Sequence, residues 1–439
     1  MSEPEYHLDV DAGHGRPCPY NFMIVRSLRL QNFRNYESQE LELPEGLVAL
    51  IGDNGQGKTN LLEALCVLAT TKSPLVERDR ELIRWNQSET RLSAQIELSG
   101  ERRDERKLEY SWRTSGNAIS KEMKVGGVPQ SQLSNWLGQL QVVAFFPHDL
   151  VLIDGEPGER RRFLNTELGK ARPQHFTEVA RYRRALQQRN ALLKQYLDAR
   201  FSSRYCRSTP MPDPEAMREW NQQLVSSGSR VLAARAQFLR ELEPLADETH
   251  RKLSGLDKKF AIQYAPGIKL PKNLEILNSE DDWGTQLTAS LDADHEADAR
   301  RGTTASGPHR DDLVFSLDEM DLRRYGSQGQ QRLAVLATKI ALAHWVREET
   351  GEPPILLLDD ALSELDSTRR ALVLEEARKF PQSVLTATDE RFLQNVPSKV
   401  FHVAEGRLKR EKTLSENESS VENNVQSAEI YPDTLVETQ

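Results

Sequence analysis

The sequence predicts an α/β fold, a mixed sheet with helices, divided along the chain by an inserted and mainly helical arm. Three observations predict it. Two short, nearly continuous apolar runs, Leu47–Ile51 near the start and Ile355–Leu358 near the end, have the form of buried central strands. Each is followed by a stretch that reads as helix. Between them, beyond Phe146, lie long polar stretches with helical periodicity, broken by Pro210, Pro212 and Pro214.

Each element follows in turn. Residues 1–22 lack regular patterning and read as a disordered extension; Met23 could itself be the functional start. Alternation begins at Ile24, Leu28 and Leu30, continues at Leu41 and Leu43, and leads into the run Leu47–Ile51. Leu92, Ala94, Ile96 and Leu98, then Leu108, Tyr110 and Trp112, alternate on either side of a polar turn, the pattern of an antiparallel hairpin. A Gly126-Gly127 turn continues that meander, and the pattern turns helical past the apolar segment Val142–Phe146. The arm is expected over residues 150–302, between head segments 23–149 and 303–410. The second head segment should hold a strand through Leu313, Phe315 and Leu317, a helix after Ser327, the strand Ile355–Leu358, another helix and the strand Ser383–Thr388. Residues 411–439, rich in Ser, Asn and Glu, read as a disordered acidic tail.

At 439 residues, 38% hydrophobic and 28% charged, the chain is long enough for two or three domains, and no stretch is apolar enough to span a membrane. Its three cysteines, Cys18, Cys66 and Cys206, lie far apart, which excludes a disulfide framework and a structural zinc site. A cytoplasmic location is expected. The net charge of −9 is carried by the two ends, −3 over residues 1–22 and −6 over 411–439, so the body is neutral. Within it, residues 159–207 hold thirteen Lys/Arg against four Asp/Glu, a local basic patch that is either a nucleic-acid surface or a set of solvated helix faces.

Gly52-Asp53-Asn54-Gly55-Gln56-Gly57-Lys58-Thr59 satisfies the phosphate-loop pattern GxxxxGK[ST] at every defined position. A strand-like run enters it and a helix with Leu61, Leu65 and Leu68 leaves it. Glycines permit the anion-cradling turn, and backbone N–H groups and the helix N-terminus favour polyphosphate. Lys58 is expected on the β- and γ-phosphates and the Thr59 hydroxyl on Mg2+. Ile355–Leu358 ends in Asp359 and Asp360: the first is the expected Mg2+ partner, and the second is placed to orient or deprotonate the attacking water. Taken alone, an Asp-Asp ending could simply be a strand turning into a loop. Ser327-Gly329 opens a helix whose exposed N–H groups could form a second anion site, although Ser327 alone is also a good helix cap.

These motifs, with Asn32-Phe33-Arg34-Asn35-Tyr36, Gly307-Pro308-His309-Arg310-Asp311-Asp312 and Ala361-Leu362-Ser363-Glu364-Leu365-Asp366, resemble the RecF family of SMC-like ABC ATPases over most of residues 23–410. The resemblance implies an ABC-type P-loop ATPase head with a helical arm. It also implies an ATP-dependent homodimer in which each ATP lies between the phosphate loop of one chain and the Ser327 and Gly329 signature of the other. Carried over, Lys58, Thr59 and Asp359 hold ATP and Mg2+, Asp360 takes the catalytic acid position, and Asp366 belongs to the loop across the seam. Arg34 reaches the nucleotide from the end of the first strand, and Asn54 and Asn60 flank the phosphates. Gln139 and Gln141 are the candidates for the γ-phosphate-sensing glutamine. DNA, single-stranded, double-stranded or gapped, is the implied ligand, RecR and RecO the implied partners, and recombination, fork recovery and the SOS response the implied context. Asp360 in place of glutamate and Thr388 in place of histidine imply slow hydrolysis. A transporter's nucleotide-binding subunit, a chromosome-organising SMC protein and an ATP-driven nuclease using His309, Asp311 and Asp312 are the alternatives.

Overall fold

The computed structural model describes residues 22–99, 104–116, 118–202, 214–270, 277, 279–393 and 399–410. The expected disordered ends fall outside them except for Phe22, which begins a strand, and Pro210 and Pro212 also fall outside.

The head is organised by a six-stranded sheet in the order Arg407–Arg410, Lys399–Ala404, Gly46–Ile51, Gln382–Ala387, Ile355–Leu358, Val142–Phe145. Pairing is parallel except at the Lys399–Ala404/Arg407–Arg410 hairpin. The apolar runs are continuous because both faces are covered, and the two-residue period of a strand sends alternate side chains to different cores. Val48, Leu50, Ile355, Leu357 and Val384 enter one. Leu47, Ala49, Ile51, Leu356, Leu358 and Leu385 enter the other.

The first core is closed by the helix Lys58–Thr70, ten of whose thirteen residues are buried, and by an antiparallel sheet. That sheet runs Tyr36–Glu42, Phe22–Phe33, Glu89–Ser99, Asp104–Ser115, Ala118–Val125, Val128–Pro129. Its Glu89–Ser99/Asp104–Ser115 hairpin and the Gly126-Gly127 turn, with φ of +57° and +81°, match the sequence reading.

The second core joins the sheet to the helix Gln328–Thr350 and to the arm's base. The arm contains helices Pro157–Ala171, Gln174–Ser202, Pro214–Ser254 and Glu280–Arg301. The 41-residue helix Pro214–Ser254 spans about 60 Å and serves two cores. Phe238, Leu242 and Leu253 pack with the head, whereas Leu224 and Leu232 pack with Tyr182, Trp283, Leu287 and Leu291. The strand Phe260–Ala265, not anticipated within the helical insert, pairs with Asp312–Leu317 and adds Phe260 and Ile262 to the head's core. No described helix is long and apolar enough to cross a membrane.

Candidate nucleotide-binding site

The strand Gly46–Ile51 delivers the phosphate loop at the carboxyl edge of the parallel sheet, where the loop turns into the helix Lys58–Thr70. Two glycines are required by close approach. A Cβ at Gly52 would lie 2.3 Å from Val403 O, and one at Gly57, where φ is +112°, would meet Asn35 Nδ2 at 2.7 Å and Tyr36 Oη at 2.8 Å. The same neighbours hold the loop: Asn35 Nδ2 donates to Gln56 O (3.1 Å), Tyr36 Oη to Gly57 O (3.1 Å) and Asn60 Nδ2 to Asn35 Oδ1 (2.8 Å). On the other side the Glu405 N–H donates to Gln56 Oε1 at 2.6 Å. Asp53, Asn54 and Gly55 form the exposed tip. Lys58 Nζ lies across the loop, donating to Gly52 O (2.5 Å) and Asp53 O (2.8 Å). Burial lowers its pKa, opposed by the charges of Asp359, Asp360 and Asp53.

Asp359 and Asp360 leave the buried strand Ile355–Leu358 at the same edge. Thr59 Oγ1 lies 2.9 and 3.1 Å from the Asp359 carboxylate oxygens, so one hydroxyl and one carboxylate, far apart in sequence, converge beside Lys58. Asp359 also accepts from Thr386 Oγ1 at 2.7 Å. Burial raises its pKa against these two hydrogen bonds. A hydroxyl and a carboxylate, both hard oxygen donors, form a set that fits Mg2+. Asp360 has a left-handed φ of 49° and accepts at Oδ2 from Ser363 Oγ (3.0 Å). The buried Arg332 guanidinium donates to Asp360 O at 2.5 Å and approaches Glu364 at 3.3 Å.

Ser327 caps the helix Gln328–Thr350 in a capping box: its Oγ accepts from the Gln330 N–H (3.3 Å), and Gln330 Oε1 accepts from the Ser327 N–H (2.9 Å). Ser327 and Gly329 are exposed, and a Cβ at Gly329 would meet nothing within 4 Å. Asp366 caps the helix Ser367–Ala377 through the Arg369 N–H at 2.9 Å and is exposed. Arg34, expected at the nucleotide, makes a bidentate pair with the fully buried Glu63 of the phosphate-loop helix (2.6 and 2.7 Å). Thr388 is exposed immediately beyond the strand Gln382–Ala387. Gln139 and Gln141 require correction. Both precede the strand Val142–Phe145, which runs parallel to Ile355–Leu358, so they lie at the edge opposite the phosphate loop. Gln139 bonds Arg106 (3.2 Å) and Gln141 donates to Lys170 O (3.2 Å). Thr386, Arg332 and Glu63 belong to the site's framework but carry no sequence signal of their own, because each acts through a distant partner; Tyr36, part of the Asn32–Tyr36 motif, is visible in the sequence only as a member of that motif.

Comparison with known proteins is consistent with this geometry. The sequence model of the RecF/RecN/SMC N-terminal domain matches residues 24–411. The DNA replication and repair protein RecF of Limosilactobacillus fermentum is 36% identical over 394 residues, covering 89% of this chain and all of the relative. The chain belongs to the RecF family. The RecF of Enterococcus faecalis is 35% identical, covering 88% of this chain and 99% of its own. A solved RecF–ATP structure, described as a recombination mediator of the RecFOR pathway, superposes with a TM-score of 0.76 at 28% identity, covering 89% of this chain and 100% of that one. An SMC head domain from Pyrococcus furiosus, with TM-score 0.51 and 16% identity, shares the fold. In this RecF-family chain the arm's basic segment divides between buried and exposed arginines. Arg160 is buried against Asp312 (2.5 and 3.1 Å), and Arg189 is fully buried against Asp298 (2.8 Å), Thr304 (2.6 Å) and Asn221 (2.8 Å). Neither faces solvent, so both drop out of the basic patch read over residues 159–207. Arg161 donates to Asp311 O at 2.9 Å, while Arg181, Arg183 and Arg184 are exposed. Asp311 takes Arg235, Tyr264 Oη (2.5 Å) and the Gly267 N–H (2.7 Å), and His309 meets Tyr182 Oη at 2.6 Å, so this cluster knits the arm to the head.

Proposed function

We propose that this RecF-family ATPase of DNA replication, recombination and repair works as an ATP-dependent homodimer that engages DNA when nucleotide is bound and releases it after hydrolysis. The convergence of Thr59 and Asp359 beside Lys58 carries the reading. The loop N–H groups and Lys58 would hold the triphosphate, and Thr59 and Asp359 would hold Mg2+, which supplies positive charge to the phosphates. Asp360, with its carboxylate beside Ser363, would orient the attacking water and take its proton. The exposed, capped helix start at Ser327 and Gly329 fits a role on the nucleotide of a second copy, and exposed Asp366 fits the same seam.

In this reading the DNA is single-stranded, double-stranded or gapped, and the protein acts in the cytoplasm with RecR and RecO in RecA loading, fork recovery and the SOS response. The chromosome-organising alternative has less support, because full-length RecF relatives match at 36% identity and the SMC head at 16%. Sizing chromatography with and without ATP, each with and without gapped duplex, tests the reading. Wild type should shift to a dimer with ATP and co-elute with DNA; Lys58→Ala should bind no ATP and do neither. Equal affinity of wild type and Lys58→Ala for fluorescent ATP would overturn the assignment.

A further inference from the structure

We propose that Thr386 is the positioning residue for Asp360 and acts on hydrolysis through the Asp360 backbone, since Asp359 keeps Thr59 Oγ1 when the Thr386 hydroxyl is lost. This rests on the catalytic-acid reading of Asp360. Thr386 lies on the strand Gln382–Ala387, next to Ile355–Leu358 in the sheet, and is 1% exposed. Its single hydroxyl proton goes to Asp359 Oδ1 (2.7 Å), and its oxygen accepts the Asp360 N–H (2.9 Å). One side chain therefore ties the candidate metal-binding carboxylate to the backbone of the candidate catalytic residue.

The second bond matters because of the conformation of Asp360. Its φ of 49° lies in the left-handed region, which Asp tolerates better than most residues with a Cβ but which still costs backbone energy that neighbouring bonds offset. The neighbours are identifiable. The N–H is held by Thr386 and the C=O by Arg332 (2.5 Å), while the one Ser363 hydroxyl lies between that C=O (3.1 Å) and Oδ2 (3.0 Å). With both ends of the residue pinned, the Cα–Cβ vector has one direction. Asp360 is one methylene shorter than glutamate, so its reach depends more on that vector than a longer side chain's would. Without the hydroxyl, the N–H loses its buried acceptor, and φ can relax to negative values that swing the carboxylate away.

A pair of variants tests this. Thr386→Val preserves shape and β-propensity but removes the hydroxyl, whereas Thr386→Ser restores it. Turnover of Thr386→Val should fall by about ten- to a hundredfold, the usual range for lost second-layer hydrogen bonds. Fluorescent-ATP affinity and ATP-dependent dimerisation should stay close to wild type, and Thr386→Ser should recover most of the turnover. Acting through Asp360, the valine should slow Asp360→Asn no further in the double variant. Normal turnover in Thr386→Val, equal loss in Val and Ser, or additive loss in the double variant would each overturn the proposal. If Thr386→Val fails to bind ATP because it is misfolded, Thr386→Ala and Thr386→Ser decide by the same comparison. Undiminished turnover in Asp360→Asn would remove the catalytic reading and this inference together, whereas an inactive Asp360→Asn with a normal Thr386→Val would remove only the latter.

Discussion

Replacing Arg181, Arg183 and Arg184 with Ala tests whether the arm helix Gln174–Ser202 contacts DNA. The three are not equivalent. Arg183 and Arg184 are exposed and form no ion pair among the described residues, whereas Arg181 lies 2.8 Å from Glu178. On duplex DNA each phosphate contact contributes about 0.9 to the log–log salt slope. Two free arginines account for about 1.8, and a fully engaged Arg181 would raise this to about 2.7, per protomer. Between about 50 and 200 mM salt, a slope difference of 1.8 to 2.7 shrinks the advantage of wild type by roughly 12- to 40-fold. Fluorescence anisotropy in the presence of ATP, repeated on unrelated sequences, reads both slope and sequence independence. DNA-free hydrolysis should be unchanged. A triple variant with the wild-type slope would refute the reasoning and move the DNA surface to the head.

The contrasting arginine should affect stability instead. Arg189→Ala strands Asp298, 0% exposed, and should cost about 3–5 kcal/mol by chemical denaturation, with Arg189→Leu/Asp298→Leu less damaging than Arg189→Ala; a loss under about 1 kcal/mol contradicts the buried-pair account. Ser327→Arg should bind ATP as a monomer yet neither dimerise nor hydrolyse it. Mixing it with Lys58→Ala should restore part of the activity, and no gain on mixing would count against composite sites. Gly57→Ala should lose ATP binding, because its Cβ would press on Asn35 and Tyr36 at a φ of +112°; normal nucleotide affinity would show that the loop yields. His309 and His175 are held neutral by burial, with pKa values lowered to about 4 and about 3. Below the unfolded value of about 6.5 the unfolded chain takes up protons that the fold refuses, so each histidine should lower stability by about 1.4 kcal/mol per pH unit down to its folded pKa. Urea midpoints at pH 7 and 5 measure this, and His309→Gln should flatten the trend.

Much of the site was legible because its chemistry is local. Gly52, Gly57, Lys58 and Thr59 lie in one short loop between a strand and a helix, and close backbone approach requires glycine at Gly52 and Gly57. Ser327 was likewise legible as a helix cap, and the structure adds Gln330 as the other half of a capping box. The run Ile355–Leu358 required a buried strand, and a strand that ends in Asp359 and Asp360 brings them to a sheet edge.

Which edge was a tertiary matter. Gln139 and Gln141 lie next to a strand of the same sheet, but its parallel direction puts them at the far end from the loop. Burial of charge was equally undetermined. Arg183, Arg184 and Arg189 belong to one helix and look alike in composition, yet only Arg189 points at Asp298, Thr304 and Asn221. A helix turns about 100° per residue, so the elements packed on it decide which charges face a partner and which face water. Thr386 is the clearest case. Nothing in its local sequence distinguishes it from any strand threonine, and its role arises because parallel pairing sets its hydroxyl between Asp359 and Asp360.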